Sequence, residues 1–211
     1  MASQIATNAT AVTVPRTPAE RFTRLCVRRR VPITVGLLVA LLLLDRFVFN
    51  GNPRNVTNWT DPFVAVGEVL ILCGLLVRAW SAGTLKKQKQ LATTGPYACI
   101  RHPLYFGSIL MMAGFAALGF APLSLLVIAP PLAWLYWNAI KSEERHVASL
   151  FPQQWPSYAA KTPRLIPRRL GVPRLADWSR AQWLKNSEYQ AWLGAGTGLL
   201  AIKLYQLLLQ Q

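Results

Sequence analysis

The sequence predicts an all-α integral membrane protein, organised as a helical bundle with about five transmembrane helices. Two observations carry this prediction. Hydrophobic residues make up 53% of the 211 positions and lie in long runs, which is a membrane-protein composition. The formal net charge of +15 lies between those runs, as the positive-inside rule describes for loops that stay in the cytoplasm.

In the first third of the chain, the pattern of basic and apolar residues predicts a basic cytoplasmic segment and two spans. Residues 1–30 are expected to be disordered, and five arginines stand between positions 21 and 30. Because these arginines precede the apolar run 31–49, that run is expected to be an uncleaved first span that begins in the cytoplasm. Residues 50–61 then form a short outer loop, and residues 63–80 return as a second span.

Polar residues are concentrated at one boundary between a loop and a span. Arg101, His102 and Tyr105 fall within five residues, after a Gly-Pro turn and at the start of an apolar run. Pro103 is expected to open the helix, since proline needs no backbone donor there. The first-turn amides and Arg101 would then form a seat for a carboxylate or a phosphate. The alternative is a basic interfacial anchor, because arginine, histidine and tyrosine all favour that depth.

Residues 103–140 predict a tight helical hairpin whose second arm is broken or kinked at two consecutive prolines. The hairpin returns the chain to the face that it left, so Glu143 and Glu144 should emerge beside Arg101 and its neighbours. Consecutive helical residues point about 100° apart, so the two carboxylates cannot address the same atom. We expect one of them to bind a ligand and the other to hold a cation. The alternative is an ordinary solvated helix end.

The last part of the chain, residues 168–211, predicts a basic interfacial segment and a last span. Arginines, lysines and tryptophans are mixed between positions 168 and 190, which suits a helix lying on an anionic leaflet. A plain basic linker is the alternative there. Residues 192–209 are expected to be the fifth span, although Lys203 within them also fits a re-entrant or interfacial helix.

Two other kinds of site are disfavoured by the residue pattern. No stretch interleaves basic residues with exposed aromatics at a recognisable spacing, so no nucleic-acid partner is expected. The three cysteines, Cys26, Cys73 and Cys99, are widely spaced and only two histidines are present. Neither a disulfide framework nor a metal site is therefore expected.

The central stretch and the residues after the hairpin carry a family resemblance. The pattern G-P-Y-x-x-x-R-H-P-x-Y-x-G, followed by an apolar hairpin, E-E, an aromatic-rich turn and P-R-x-x-P, resembles the isoprenylcysteine carboxyl methyltransferase and phospholipid methyltransferase superfamily of integral membrane enzymes. The resemblance covers roughly residues 62–167 and implies S-adenosylmethionine as the cofactor. The residues that it implies for cofactor binding are Arg101, His102, Pro103, Tyr105, Gly107, Glu143 and Glu144.

The resemblance further implies a lipid-like or prenylated acceptor, reached from the bilayer, and a site on the cytoplasmic face of a multi-pass protein. We expect the carboxylate of an isoprenylcysteine-like compound, which needs only a cation to position it, and Arg145 is the candidate. An amine must first lose a proton, which makes Glu143, Glu144 and His146 candidate bases. A phospholipid amine and a small thiol stay as alternative acceptors. A non-catalytic membrane protein that binds lipids or assembles partners stays as the alternative class.

Overall fold

The computed structural model describes residues 54–86, 89–119, 122–167 and 178–209, together with isolated positions between 25 and 48. Within the four continuous ranges the chain forms α-helices and one short 3₁₀ helix, and it forms no strand there. The prediction of an all-α fold is confirmed for this part of the chain. The α-helices are α1 (Pro62–Thr84), α2 (Pro103–Gly119), α3 (Pro122–Leu150), α4 (Trp155–Lys161), α5 (Arg180–Lys185) and α6 (Tyr189–Leu209), and the 3₁₀ helix is Gly95–Ala98.

Helix α1 begins at a defined cap and is apolar on both faces. The Asp61 carboxylate accepts the backbone N–H of Phe63 at 2.9 Å, and Pro62 occupies the first turn, where its missing donor leaves no bond unmade. Val64 and Ile71 are buried on one face. The other face exposes large hydrophobic side chains: Phe63, Val66, Val69, Leu72 and Leu76. A helix with an apolar outer face is typical of a membrane span.

Four glycines let α1 and α2 approach backbone to backbone. Gly67 faces Gly114, and Gly74 faces Gly107. A Cβ added to Gly74 would lie 2.6 Å from the Gly107 carbonyl oxygen, and a Cβ added to Gly107 would lie 2.7 Å from that of Gly74. From the first pair to the second, the residue number rises along α1 and falls along α2, so the two helices are antiparallel. The glycines allow the short distance between the helix axes. Gly107, which the resemblance assigned to the cofactor site, lies in this helix contact.

Gly114→Ala is expected to destabilise the protein, because the new Cβ would collide with the Gly67 carbonyl oxygen and with Ile71. Overpacking of this kind costs about 1–3 kcal/mol, which should lower the thermal unfolding midpoint of the purified protein by roughly 5–10 °C. Gly119→Ala is the matched control, since a Cβ at Gly119 meets nothing within 4 Å. Equal midpoints for the two variants would contradict the close packing of α1 against α2.

Helix α3 is helical through both of its internal prolines. The sequence predicted a break or a kink at Pro130 and Pro131. The helix runs from Pro122 to Leu150 without a break, so the predicted break is wrong, and the kink stays a prediction. Proline removes a backbone hydrogen bond yet keeps a helical φ, and long apolar helices tolerate it. The second half of α3 packs inward through Leu135, Ala139 and Ile140.

Helix α6 lies beside α1 and is antiparallel to it. Near the end of α1, Arg78 donates two hydrogen bonds to Glu188, at 2.7 and 3.0 Å, and Glu188 is buried. Near the start of α1, Gln206 donates to the Arg54 carbonyl. The Lys203 ammonium reaches polar side chains of the same loop at 3.3 and 3.4 Å. The Lys203 charge, which lies inside the last apolar run, is thereby hydrogen-bonded to the loop that precedes α1.

Among the described residues, α1 is the one helix that is long and apolar enough to cross a membrane by itself, and α2 is apolar but shorter, with 17 residues. The number of five spans therefore stays a prediction. Three other predictions lie wholly or largely outside the described residues: the disordered segment 1–30, the first span 31–49, and the first ten residues of the interfacial segment, 168–177.

Candidate active site

Two loops that are distant in sequence are held together by backbone hydrogen bonds. The Arg101 N–H donates to the Pro163 carbonyl at 2.8 Å, and the His102 N–H donates to the Arg164 carbonyl at 3.1 Å. Pro103 follows at once as the buried first residue of α2. The start of α2 and the segment after α4 are therefore held side by side, and they carry the side chains of Arg101, His102 and Arg164.

The Glu144 carboxylate, on α3, lies at the centre of these side chains. Its Oε1 accepts a hydrogen bond from Arg101 Nη1 at 2.7 Å, and its Oε2 accepts one from Arg164 Nη2 at 2.9 Å. His102 Nε2 lies 3.3 Å from Oε1. Glu144 is only 8% exposed, so two guanidinium groups, rather than water, compensate its charge. The structure thus brings together the two stretches that the hairpin was expected to join. We call these four residues the Glu144 cluster.

The surroundings fix the protonation state of the Glu144 cluster at neutral pH. Burial raises the pKa of Glu144, but the hydrogen bonds from Arg164 and the charge of Arg101 outweigh burial, so the pKa lies below its ordinary value of 4.5. Burial lowers the pKa of His102 below 6.5, although Glu143 and Glu144 oppose the change. His102 is therefore neutral at pH 7, and its Nε2–H is assigned as the donor to the charged Glu144.

Glu143 lies outside the Glu144 cluster and, together with Arg101 and His102, lines a cavity of about 450 Å³, which we call the first cavity. Small-molecule sites have volumes of roughly 300–1,000 Å³. The polar side chains that line the first cavity are those of Gln90, Tyr97, Arg101, His102, Ser142, Glu143 and His146. Its apolar and aromatic walls include Leu91, Val147, Leu150, Phe151, Trp155 and Tyr158. The first cavity is thus mostly apolar, with a few convergent polar groups.

Two buried polar atoms at the first cavity have no hydrogen-bond partner within the described part of the chain: the Tyr97 hydroxyl and Arg101 Nε. Tyr97 is 6% exposed, and burial raises the pKa of its hydroxyl well above the ordinary value. The hydroxyl therefore stays protonated and can donate. An unsatisfied buried donor costs about 1–3 kcal/mol. A polar ligand bound in the first cavity would recover that cost.

Tyr105 supports the Glu144 cluster from behind. Its ring meets the His102 ring edge to face, with 5.7 Å between centroids, and it meets the Tyr136 ring in the same way at 5.7 Å. Ala139 and Ile140 pack against Tyr105. Tyr105 therefore ties the start of α2 to the second half of α3, and it fixes the plane of the His102 imidazole.

Arg145 is not among the described residues that line the first cavity. Its Nε donates to the Lys141 carbonyl at 3.3 Å, and its side chain lines a second cavity of about 500 Å³. Glu143 and Arg145, the two groups whose roles would distinguish an amine from a carboxylate acceptor, thus line different cavities.

Three residues of the site were not singled out in the sequence. Arg164 supplies the second guanidinium group of the Glu144 cluster, and it stands in the P-R-x-x-P motif. Tyr97 is the tyrosine of the G-P-Y motif. Both motifs contributed to the resemblance, so a pointer to these residues was present. Tyr158, whose hydroxyl donates to the Tyr97 carbonyl at 2.8 Å, lies in the aromatic-rich stretch of the same resemblance, which does not single out one aromatic residue.

Comparison with known proteins finds similarity to membrane methyltransferases. Residues 63–154 match the family model described as phospholipid methyltransferase. A distant relative is protein-S-isoprenylcysteine O-methyltransferase B of Arabidopsis thaliana, which is 25% identical over 117 residues, or 53% of this chain and 59% of that protein. The family model and the plant relative support the isoprenylcysteine carboxyl methyltransferase and phospholipid methyltransferase superfamily, and the resemblance in the sequence is confirmed.

Two bacterial relatives are more similar in sequence, and their names state no reaction. The cobalt-zinc-cadmium resistance protein CzcN of Cupriavidus metallidurans is 32% identical over 139 residues, or 64% of this chain and 63% of that protein. The nickel-cobalt-cadmium resistance protein NccN of Alcaligenes xylosoxydans xylosoxydans is 29% identical over 119 residues, or 53% of this chain and 55% of that protein. The matches span about three-fifths of the length of these curated relatives. No solved structure matches the chain.

Proposed function

We propose that the chain is an S-adenosylmethionine-dependent methyltransferase that binds this cofactor in the first cavity and methylates a lipid-like acceptor. The observation that carries the proposal is the junction of the R-H-P motif with Glu143 around one cavity, beside a buried tyrosine hydroxyl without a partner. Similarity to a methyltransferase superfamily supports the same reaction class.

The residues of the first cavity suit the chemical groups of S-adenosylmethionine. Arg101 Nε and the Tyr97 hydroxyl are donors for a carboxylate or a ribose hydroxyl. Glu143 supplies a negative charge for an ammonium or a sulfonium, and Trp155 adds an aromatic wall. When bound, the cofactor supplies an electrophilic methyl group on its sulfonium. The chain itself orients the two reactants and excludes water from the apolar part of the first cavity.

The lining of the first cavity favours an amine acceptor, such as the headgroup amine of a phospholipid. Glu143 and His146 both line it, and either can take the proton that an ammonium must lose before its nitrogen accepts a methyl group. Arg101 is already paired with Glu144 at 2.7 Å. Arg145, the cation expected beside a carboxylate, lines the second cavity. Carboxyl methylation of an isoprenylcysteine-like compound stays as the second candidate, supported by the name of the plant relative.

Binding of S-adenosylmethionine to the purified full-length protein tests the proposed cofactor. Tyr97→Phe should weaken binding by roughly 3- to 10-fold, the loss expected for one neutral hydrogen bond, as measured by calorimetry. Tyr189→Phe is the matched control, because Tyr189 is exposed at the start of α6. Absence of binding to the unchanged protein, or equal affinities of the two variants, would count against the first cavity as the cofactor site.

The distribution of basic residues supports an active site that faces the cytoplasm. Of 23 lysines and arginines, 19 lie before residue 31, between 81 and 102, or between 141 and 190, and five spans would leave these stretches on one side. Excess lysine and arginine mark the cytoplasmic side. The proposed division is a basic cytoplasmic N-terminus (1–30), a methyltransferase core (31–167), and an interfacial segment with the last span (168–211).

The labelling of Cys99 should report this orientation, because Cys99 is half-buried in the loop that precedes Arg101. In a chain that carries Cys26→Ser and Cys73→Ser, an impermeant maleimide should leave Cys99 unmodified in intact cells and modify it in inverted vesicles. A permeant maleimide, which should react in both preparations, is the control. Modification from outside intact cells would reverse the topology and the location of the site.

A further inference from the structure

The second cavity collects positive charge that the described part of the chain does not balance. Lys141, Arg145 and Arg164 line it, and Glu144 is the one acidic residue among its described lining. Glu144 already forms ion pairs with Arg164 and with Arg101 on its other side. One carboxylate therefore faces three cations within the second cavity. In the first cavity the charge of Arg101 is accompanied by the opposite charge of Glu143, because both residues line it.

Two of these cations lie over the same aromatic ring. Lys141 Nζ is 5.1 Å from the centroid of Trp137, and Arg164 Cζ is 5.2 Å from it. Each contact is favourable alone, but the arrangement also concentrates like charges around one side chain. An anion placed between them would relieve that repulsion and form charge-assisted hydrogen bonds with both.

Helix α3, which carries Lys141 and Arg145, is apolar in the half that precedes these two cations. Val127, Trp134, Lys141 and Arg145 are spaced by seven, seven and four residues along α3, so they share one stripe of the helix. Val127 is 57% exposed and Trp134 is 46% exposed. The exposed stripe therefore changes from apolar to basic at the second cavity. A tryptophan next to a lysine at such a change is typical of the membrane interface.

We infer that the second cavity binds the phosphate headgroup of an anionic membrane phospholipid, whose acyl chains lie along the apolar stripe of α3. Charge complementarity identifies the occupant, because a zwitterionic headgroup would bring its own ammonium next to three cations. The stripe explains why the phosphate would belong to a lipid. This lipid is distinct from the methyl acceptor, since the described linings of the two cavities share only Trp155, and Arg101 of the first cavity is paired with Glu144 of the second. The inference goes beyond the proposed reaction.

Native mass spectrometry of the delipidated full-length protein can test this inference. The protein is mixed with equal amounts of phosphatidylglycerol and phosphatidylcholine that carry the same acyl chains, and the ratio of the bound lipids is measured. The unchanged protein should prefer phosphatidylglycerol. The variant Lys141→Gln/Arg145→Gln should lose roughly 10- to 30-fold of that preference, as expected for two basic residues near an anionic headgroup.

Two further variants make the result specific to the second cavity. Arg180→Gln/Lys185→Gln removes the same charge from the exposed surface of α5 and should keep the preference. Lys141→Arg/Arg145→Lys keeps the charge in place and should also keep it, which separates charge loss from misfolding. Equal losses in the α3 and α5 glutamine pairs, or no preference in the unchanged protein, would overturn the inference. Displacement of the lipid by millimolar inorganic phosphate would overturn the choice of a lipid and identify a soluble anion instead.

Discussion

Glu144→Gln is expected to be the most destabilising single change at the site, and to weaken S-adenosylmethionine binding at least tenfold. The change leaves Arg101 and Arg164 without the carboxylate that they share. Breaking a fully buried ion pair costs about 3–5 kcal/mol. Because the Arg164 side chain is 41% exposed, solvent compensates part of the loss, and we expect about 2–3 kcal/mol here. Affinity should fall because Arg101 belongs both to the Glu144 cluster and to the first cavity.

Glu143→Gln is the matched control for stability, since Glu143 is the exposed neighbour of Glu144 on the same turn. It should change the free energy of unfolding by less than about 0.5 kcal/mol, as is usual for surface substitutions. Both variants are compared by urea unfolding in one detergent. Similar losses of stability in the two variants would show that the Glu144 cluster does not stabilise the fold.

The pH dependence of unfolding gives an independent reading of the Glu144 cluster. Because the pKa of folded Glu144 lies below 4.5, its contribution to stability is present above pH 4.5 and is lost as the pH falls through the folded pKa. The folded pKa of His102 lies below 6.5, so the unfolded chain binds more protons there, and stability already declines as the pH falls below 6.5. In Glu144→Gln, the loss of stability below pH 4.5 should become smaller, whereas the decline that begins below pH 6.5 should remain.

The hairpin made part of this site predictable from the sequence. Two apolar runs of nearly equal length, joined by a very short connection, must return the chain to its starting face. The contact between Arg101 and Glu144, 43 positions apart, follows from that constraint. The sequence could predict that the glycines of α1 and α2 lie in close helix contacts, since small residues mark such packing. It could not predict which glycine faces which, because that depends on how the two helices are aligned along their axes.

The direction in which each acid points was not predictable. The 100° between Glu143 and Glu144 shows that they diverge, but which of them faces Arg101 depends on the rotation of α3 about its axis. That rotation is set by Leu135, Ala139 and Ile140, which pack α3 against the rest of the chain. Tertiary packing likewise decides the contact between Arg78 and Glu188, 110 positions apart, because no local pattern links these two residues.

The acceptor prediction depends on this rotation of α3. If a phospholipid amine is methylated, Glu143 is the group placed to take its proton, and Glu143→Gln should lower turnover by about 10²–10⁴-fold, the usual contribution of a general base. Cofactor affinity should fall less than turnover, because Glu143→Gln removes one charge from the cofactor site whereas the Tyr97 and Arg101 donors remain in the first cavity.

Turnover is measured with phosphatidylethanolamine and with an S-farnesylated cysteine derivative, in the same vesicles and with labelled methyl donor. His146→Gln is compared with Glu143→Gln, since both side chains line the first cavity, and the variant with the larger loss of turnover identifies the base. Arg145→Ala should leave amine methylation within about twofold, because Arg145 lines the other cavity. If the farnesylated carboxylate is the preferred acceptor and Arg145→Ala lowers its turnover by roughly 10- to 100-fold, the loss of a charge-assisted contact, then the amine proposal is wrong. In that case α3 must turn Arg145 toward the cofactor during the reaction.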